Sequence, residues 1–419
     1  MFFKALPLLL LCSGFLVQSD TYDGYKIYDI YARTRVEKEA LLGLLSEPEY
    51  DFFSLPRALD EPAHVMVHPD GQANFETELS QLGVSFSLIS DDVGEAVRQE
   101  SMQTLLNRSM YGRRSSITFE NFYRHREIND YLDQLAIDHP IRVHVKTFGR
   151  SFEGRNMKVI TITNGDGRSN KSVIFIDAGI HAREWIAPPT ALYVVHQLVE
   201  NFEENKALLK DYDWVVLPVV NPDGYEYTHT DKRFWRKSRK PVANSSCIGT
   251  DLNRNFDFQW GGLGTTDEEC DITFRGTRPA SEPETRVVRD IMHTFRGQAR
   301  FYLTLHLYGK YLLYPWGYNY DLPSNWQDID RVAKAGAAAI EAATGTKYKV
   351  GSSSNVLYPA AGGSDDYALH IGIPISITME LPAGTGFNGF AVAPGLIKPY
   401  VEESWIGIKA MAEVVINNF

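Results

Sequence analysis

His181 and Glu184, in His181-Ala-Arg-Glu-Trp185, carry an imidazole and a carboxylate three residues apart. Both groups ligate zinc, and a catalytic zinc takes three protein ligands plus a water. The pair follows an apolar run, Ser172 to Ile180, that reads as a buried strand. Two further candidates occupy the same kind of position: His306 follows the apolar strand 300–305, and Glu380 follows the strand 375–379. All four are expected just past strand ends, at the carboxyl edge of a sheet, where open α/β folds place their sites. Taken alone, a His-x-x-Glu pair is as compatible with a surface hydrogen bond, so its context has to decide.

The elements that must position these groups come in two sets. From 20 to about 95, strand and helix signals alternate: strands at 25–31, 50–55, 63–67 and 84–90, and helices at 36–45 and 75–82. This is a small open α/β sandwich. A connecting helix at 93–106 reads as exposed and leads to Arg113-Arg114, a pair suited to cleavage by a trypsin-like protease. A solvated, uncleaved loop is the alternative for that pair. From 120 the α/β pattern resumes on a larger scale, with helices at 120–136, 188–202, 284–295, 329–343 and 400–417. Strands are expected at 141–148, 157–163, 173–177, 214–220, 301–305 and 375–379. Residues 221–279 are rich in Gly, Asn, Asp and aromatic residues and read as long ordered loops, which usually carry function.

The 419 residues carry a formal net charge of -11, which argues against nucleic acid or an anionic membrane as the main partner. The acidity is uneven, because residues 20–114 hold 17 Asp and Glu against 9 Lys and Arg. Residues 1–19, with Lys4 before an apolar core at 6–17, read as a secretory signal peptide too short to span a bilayer. Cys12 leaves with that segment, and Cys247 and Cys270 remain. An even pair in an oxidising compartment predicts one disulfide, since their neighbours offer no further ligands at metal spacing. Sequons at Asn107, Asn170 and Asn244 are potential glycan sites.

Taken together, these features resemble the zymogens of the pancreatic-type zinc metallocarboxypeptidases, the A/B subfamily, over essentially the whole chain. The resemblance implies a mixed central β-sheet flanked by helices, preceded by the small pro-domain. It implies a signal peptide at 1–19, an activation pro-segment at 20–114 and a catalytic domain at 115–419. His181, Glu184 and His306 would hold one zinc ion, and Glu380 would be the general base. Cys247 and Cys270 would be bonded to each other, and Asp251 would orient the first imidazole. Asn253 and Arg254, in Asp251-Leu-Asn-Arg-Asn255, match the family's clamp for a terminal carboxylate. A guanidinium suits that role because its fork is planar, bidentate and always charged. Arg236, in Phe234-Trp-Arg-Lys237, matches the arginine that stabilises the developing oxyanion. Tyr358 matches the tyrosine that closes over substrate, and Arg183 falls among the substrate-binding positions.

Specificity turns on Gly362-Gly-Ser-Asp-Asp366. Asp365 occupies the position that faces the side chain to be removed, and aspartate there resembles the B type, which removes C-terminal Lys and Arg. A buried carboxylate is costly unless a cation joins it, and that cost rejects apolar ends. The competing reading is that Asp365 caps the helix that follows. The expected partners are peptide and protein C-termini, a trypsin-like activating protease and protein carboxypeptidase inhibitors, with no nucleic acid or membrane partner. The chain is expected to be a secreted, extracellular monomer acting in a digestive lumen. The alternatives are A-type or broad specificity, and a non-catalytic peptide-binding relative. Leu307, where the family usually has serine, and the segment 380–390, one residue longer than the vertebrate pattern, are departures that bear on fine specificity.

Overall fold

The computed structural model describes residues 22–54, 62–111, 117–382 and 389–419. The expected signal peptide, Arg113, Arg114 and residues 383–388 lie outside the described residues.

The N-terminal module is a four-stranded antiparallel sheet of β1 (Lys26–Tyr31), β2 (Tyr50–Phe52), β3 (Pro62–Val67) and β4 (Ser85–Ser90), in the order β2-β3-β1-β4. Alternation along the strands sorts the side chains to two faces. Tyr28 and Ile30 of β1 join Val65 and Val67 of β3 under helices Arg35–Gly43 and Gln72–Gln81, with Leu41, Phe75 and Leu79. The other face sends Ile27 and Met66 into the hydrophobic core of the larger module. The sandwich is therefore open on one side, and the larger module closes it.

That module is built on an eight-stranded sheet. Its strands are β5 (Val143–Arg150), β6 (Asn156–Ile162), β7 (Ser172–Ala178), β8 (Tyr212–Leu217), β9 (Ala299–Leu307), β10 (Tyr311–Tyr314), β11 (Lys349–Ser352) and β12 (Ile375–Leu381). They are ordered β11-β10-β12-β9-β7-β8-β6-β5, with a parallel centre β12-β9-β7-β8, antiparallel pairings β10-β12, β8-β6 and β6-β5, and a parallel β11-β10 pair at one edge. Both faces are covered, as a parallel centre requires. Helices His125–Asp138, Ala187–Val199, Trp326–Thr344 and Ile397–Asn418 pack on one face through residues such as Leu132, Leu198, Ile340 and Ile408. Helices Pro283–Thr294 and Ser364–His370 cover the other, through Val288, Ile291, Tyr367 and Ala368.

Several expectations are corrected. His306 and Glu380 lie inside their strands, because β9 and β12 each run two residues further than the apolar pattern suggested. The helix expected from 120 starts at His125, where the Glu127 side chain reaches back to the Arg124 amide at 2.7 Å. Residues 222–230 form a helix inside the expected loop region, started by Asn221 accepting from the Gly224 amide at 2.9 Å with Pro222 in its first turn. The connecting helix, Val93–Tyr111, is not simply exposed: Glu100 and Asn107 are buried. The Asn107 amide donates to Glu120 O at 2.6 Å, so this sequon is not open to a glycan in the folded chain, whereas Asn170 and Asn244 are exposed.

Candidate metal centre and peptide cleft

Parallel β7 and β9 are neighbours, so the loop after β7 and the end of β9 meet at the same sheet edge. There His181, Glu184 and His306 converge, all buried, with one ligand atom from each lying within 4.8 Å of the others. His181 Nδ1 is 2.8 Å from Glu184 Oε1, and His306 Nδ1 is 3.2 Å from Glu184 Oε2 and 3.2 Å from His181 Nδ1. Ligands bound tetrahedrally at the usual zinc distances sit about 3.3 Å from one another, so this donor set fits a zinc ion. The Leu307 amide donates to Glu184 Oε2 at 3.1 Å and fixes the carboxylate. Burial alone would push Glu184 up, but the two imidazoles hold it well below the usual carboxylate range. His306, for its part, overcomes burial through the Glu184 carboxylate and is pushed up to about 9. His181 moves the other way, lowered by burial and by the Arg236 guanidinium.

Glu380 is the register partner of His306 in the β12–β9 ladder, so its carboxyl shares that edge. The alternation of β12 explains its neighbours. Ile375, Ile377, Met379 and Leu381 fill the core, while Ser376, Thr378 and Glu380 share the opposite face.

Asp251 is fully buried and organises three partners. Its Oδ1 meets His181 Nε2 at 3.2 Å and accepts from the Asn253 amide at 2.9 Å. Its Oδ2 accepts from Arg236 Nε and Nη2 at 3.2 and 2.8 Å, with Arg254 Nη1 4.0 Å away. Burial opposes the charge, yet Arg236, Arg254 and His181 keep this carboxyl well below its ordinary range. Arg254 is held by the Gly264 and Asn253 carbonyls, and Asn253 Oδ1 accepts from the Ser364 amide.

These groups line a cavity of about 90 Å³ with Tyr358, Ser353, Asp365 and Thr378. Asp365 Oδ2 accepts from Thr378 Oγ1 at 3.2 Å and Ser353 Oγ at 3.4 Å. Gly362 has φ +74°, and a Cβ there would lie 2.5 Å from Arg254 O, so glycine is required for this loop to close on Arg254. Helix Ser364–His370 begins with Gly363 at its N-cap and no side-chain cap bond, so Asp365 sits in the first turn and is not the cap. Asp366 is turned away and accepts from the Gly317 and Tyr318 amides. Thr378 is a pocket residue that sequence reasoning missed; its signal was the two-residue spacing from Glu380.

The N-terminal module covers the mouth. Phe53 and Ser54 line the cavity. Arg183 is buried, its Nη1 2.9 and 3.1 Å from the two carboxylate oxygens of Asp51, under the rings of Phe53 and Phe390. Arg233 makes a buried fork to Glu100 at 2.6 and 2.9 Å while stacking on Trp185 at 3.7 Å. Neither pair was expected. Cys247 and Cys270 are bonded to each other.

A "Zinc carboxypeptidase" family model matches residues 128–407, and a "Carboxypeptidase activation peptide" model matches residues 28–100. The chain is 39% identical to carboxypeptidase B of Helicoverpa zea, over 97% of each protein. It is 33% identical to carboxypeptidase A2 of Mus musculus, over 98% of each. The crystal structure of carboxypeptidase A from Helicoverpa armigera superposes with a TM-score of 0.89 at 34% identity, covering 95% of this chain and 98% of that one. The chain belongs to the zinc carboxypeptidase family, and with its activation peptide it is the zymogen of a zinc metallocarboxypeptidase.

Proposed function

We propose that the activated enzyme hydrolyses the last peptide bond of chains ending in Lys or Arg, the B-type preference. The observation that carries this is Asp365. Its carboxylate is 7% exposed on the cavity wall, and it meets two hydroxyls there. Among the described residues no Lys or Arg side chain pairs with it, so a basic substrate side chain is the cation that would offset its burial.

In this reading His181, Glu184 and His306 hold the zinc. Zinc there supplies a Lewis acid that polarises a carbonyl and makes water more acidic. Glu380 takes the proton of the attacking water as it adds to the carbonyl carbon. It then delivers a proton to the nitrogen as the carbon–nitrogen bond breaks. Arg236 stabilises the developing oxyanion, and its Nε and Nη2 are tied to Asp251, which leaves Nη1 for substrate. Asn253, Arg254 and Tyr358 hold the terminal carboxylate, and Arg183 contacts the peptide upstream. Residues 20–114 form the pro-segment, released by a trypsin-like protease at Arg113 or Arg114. The chain is secreted and acts as a monomer in a digestive lumen, where protein inhibitors that fill the same cleft would block it. The Cys247–Cys270 bond supports an oxidising compartment.

The test is kcat/KM after tryptic activation for peptides alike except in ending with Arg, Lys, Phe or Leu. Arg and Lys are expected to exceed Phe and Leu by roughly 100-fold, and Asp365→Ile to reverse the order. A faster rate on Phe or Leu, or a preference that survives Asp365→Ile, would show the A-type or broad alternative to be right.

A further inference from the structure

A cleft of about 500 Å³ lies between the two modules, and Arg236 lines both this cleft and the reaction cavity. The wall belonging to the larger module presents Arg183, Lys232, Arg236, Lys237 and Arg239, against a single carboxylate, Asp271. The opposite wall presents Glu47, Glu49 and Asp51 of the activation peptide. Carboxylates of the N-terminal module already bind cations on this face. Asp51 engages Arg183 at 2.9 Å, and nearby Glu100 engages Arg233 at 2.6 Å. The cationic wall keeps unused donors: Arg183 Nε and Arg239 Nε are buried with no hydrogen-bond partner among the described residues. The Arg239 guanidinium is held over Tyr227 at 3.6 Å and Trp235 at 4.6 Å, which fixes its charge beside the cleft.

The direction of the covering chain matters. From Glu47 and Asp51 it lines the outer cleft, and at Phe53 and Ser54 it reaches the mouth of the reaction cavity. A substrate would lie with the same polarity, its last residue in the cavity and its earlier residues trailing past Arg183 towards Arg239. Activation removes Asp51, the carboxylate paired with Arg183, together with Glu47 and Glu49, and leaves Arg183, Lys232 and Arg239 beside the path, while Arg236 stays paired with Asp251.

We infer that the activated enzyme selects peptides carrying Asp or Glu a few residues before their C-terminus, using the wall that the pro-segment's own acidic stretch occupies in the zymogen. This rests on the carboxypeptidase reading of the cavity and adds a second determinant to the basic end: acidic upstream residues are attracted, and basic ones repelled. Charges of this kind act through capture of substrate, so the effect is salt-dependent.

The experiment uses the zinc-loaded full chain activated with trypsin. Hexapeptides ending in Lys carry Glu, Gln or Lys at the third to fifth positions from the end. A parallel set ends in Phe, and a blocked dipeptide ending in Lys stops short of the cleft. Two or three partly screened ion pairs predict kcat/KM for the Glu series about tenfold above Gln, and Lys below Gln, at low salt. The spread should collapse at about 0.5 M salt, where screening extends only a few ångströms. In Arg239→Gln, with each rate divided by that variant's own dipeptide rate, the Glu advantage should shrink at least threefold, and Arg239→Lys should restore part of it. Equal rates for the three series at low salt would overturn the inference, as would a spread unchanged by salt or by Arg239→Gln. The set ending in Phe keeps the two claims apart: the upstream spread can be read there even if the preference for basic ends fails.

Discussion

At the scale of single residues, the site depends on one carboxylate that touches no substrate. Asp251 joins His181, Arg236 and the Asn253 amide, so it sets the proposed metal ligand, oxyanion donor and part of the carboxylate clamp at once. Asp251→Asn should therefore weaken zinc binding about 10- to 100-fold in competition with a chelator, and should lower kcat further by letting Arg236 turn. Undiminished zinc affinity would show that its bond to His181 does not orient the ligand. Much of this site was legible beforehand, because His181, Glu184, His306 and Glu380 are chemically loaded residues at the ends of recognisably apolar runs. The supports of Asp365 were harder to see. Thr378 and Ser353 are 13 and 12 residues from it in sequence, on strand β12 and in the turn after β11, so only the fold brings their hydroxyls to its Oδ2. Arg183 was expected as a substrate contact, and nothing in its neighbourhood in sequence announced that Asp51 would be its partner.

At the scale of elements, the connecting helix Val93–Tyr111 is largely exposed as its composition suggested, but it is pinned at particular residues. Its polar composition suggested solvent, yet Glu100 is 5% exposed and locked to Arg233. Removing one member of a buried ion pair strands the other charge, at a cost of about 3 to 5 kcal/mol. Glu100→Gln should therefore speed release of the cleaved pro-segment at least tenfold, measured as the lag before full activity, and raise the activity of the uncleaved chain. An unchanged lag would mean that the helix is held by its apolar contacts alone. The helix Pro283–Thr294 offers a pH test. Burial, opposed only in part by the Phe152 amide, pushes its Glu284 carboxyl up from 4.5 to about 7. A raised carboxyl favours the fold below its unfolded value, and that contribution is lost as pH rises through the folded value. Glu284→Gln should gain on the parent chain by about 2 to 3 kcal/mol between pH 5 and pH 8 in urea unfolding. A constant difference across that range would show that the carboxyl titrates normally. Long strands and amphipathic helices were readable from their periods, whereas β10 and β11, four residues each, are too short to show one.

At the scale of the whole molecule, the division into an acidic N-terminal module and a larger, nearly balanced one was visible in charge and element pattern alone. What the sequence could not show is that the small sheet's second face has no cover of its own. Ile27 and Met66 are completed by the larger module's core, so the two parts are held by apolar burial as well as by Asp51 and Glu100. The disulfide ties the 23-residue span between Cys247 and Cys270, which lies on the same cleft wall. Replacing both cysteines by serine should cost about 3 kcal/mol of stability, read as a lower urea midpoint, with little change in end preference. A wall that distorts without the bond would instead alter KM on long peptides. The central claim is that His181, Glu184 and His306 meet around one ion, and its most direct test is metal content by elemental analysis of the purified chain. One zinc per chain is predicted, falling below about a tenth in Glu184→Ala, with activity lost on chelation and regained on adding zinc. Purified protein that is active without stoichiometric metal, or Glu184→Ala that keeps its full zinc, would contradict the account.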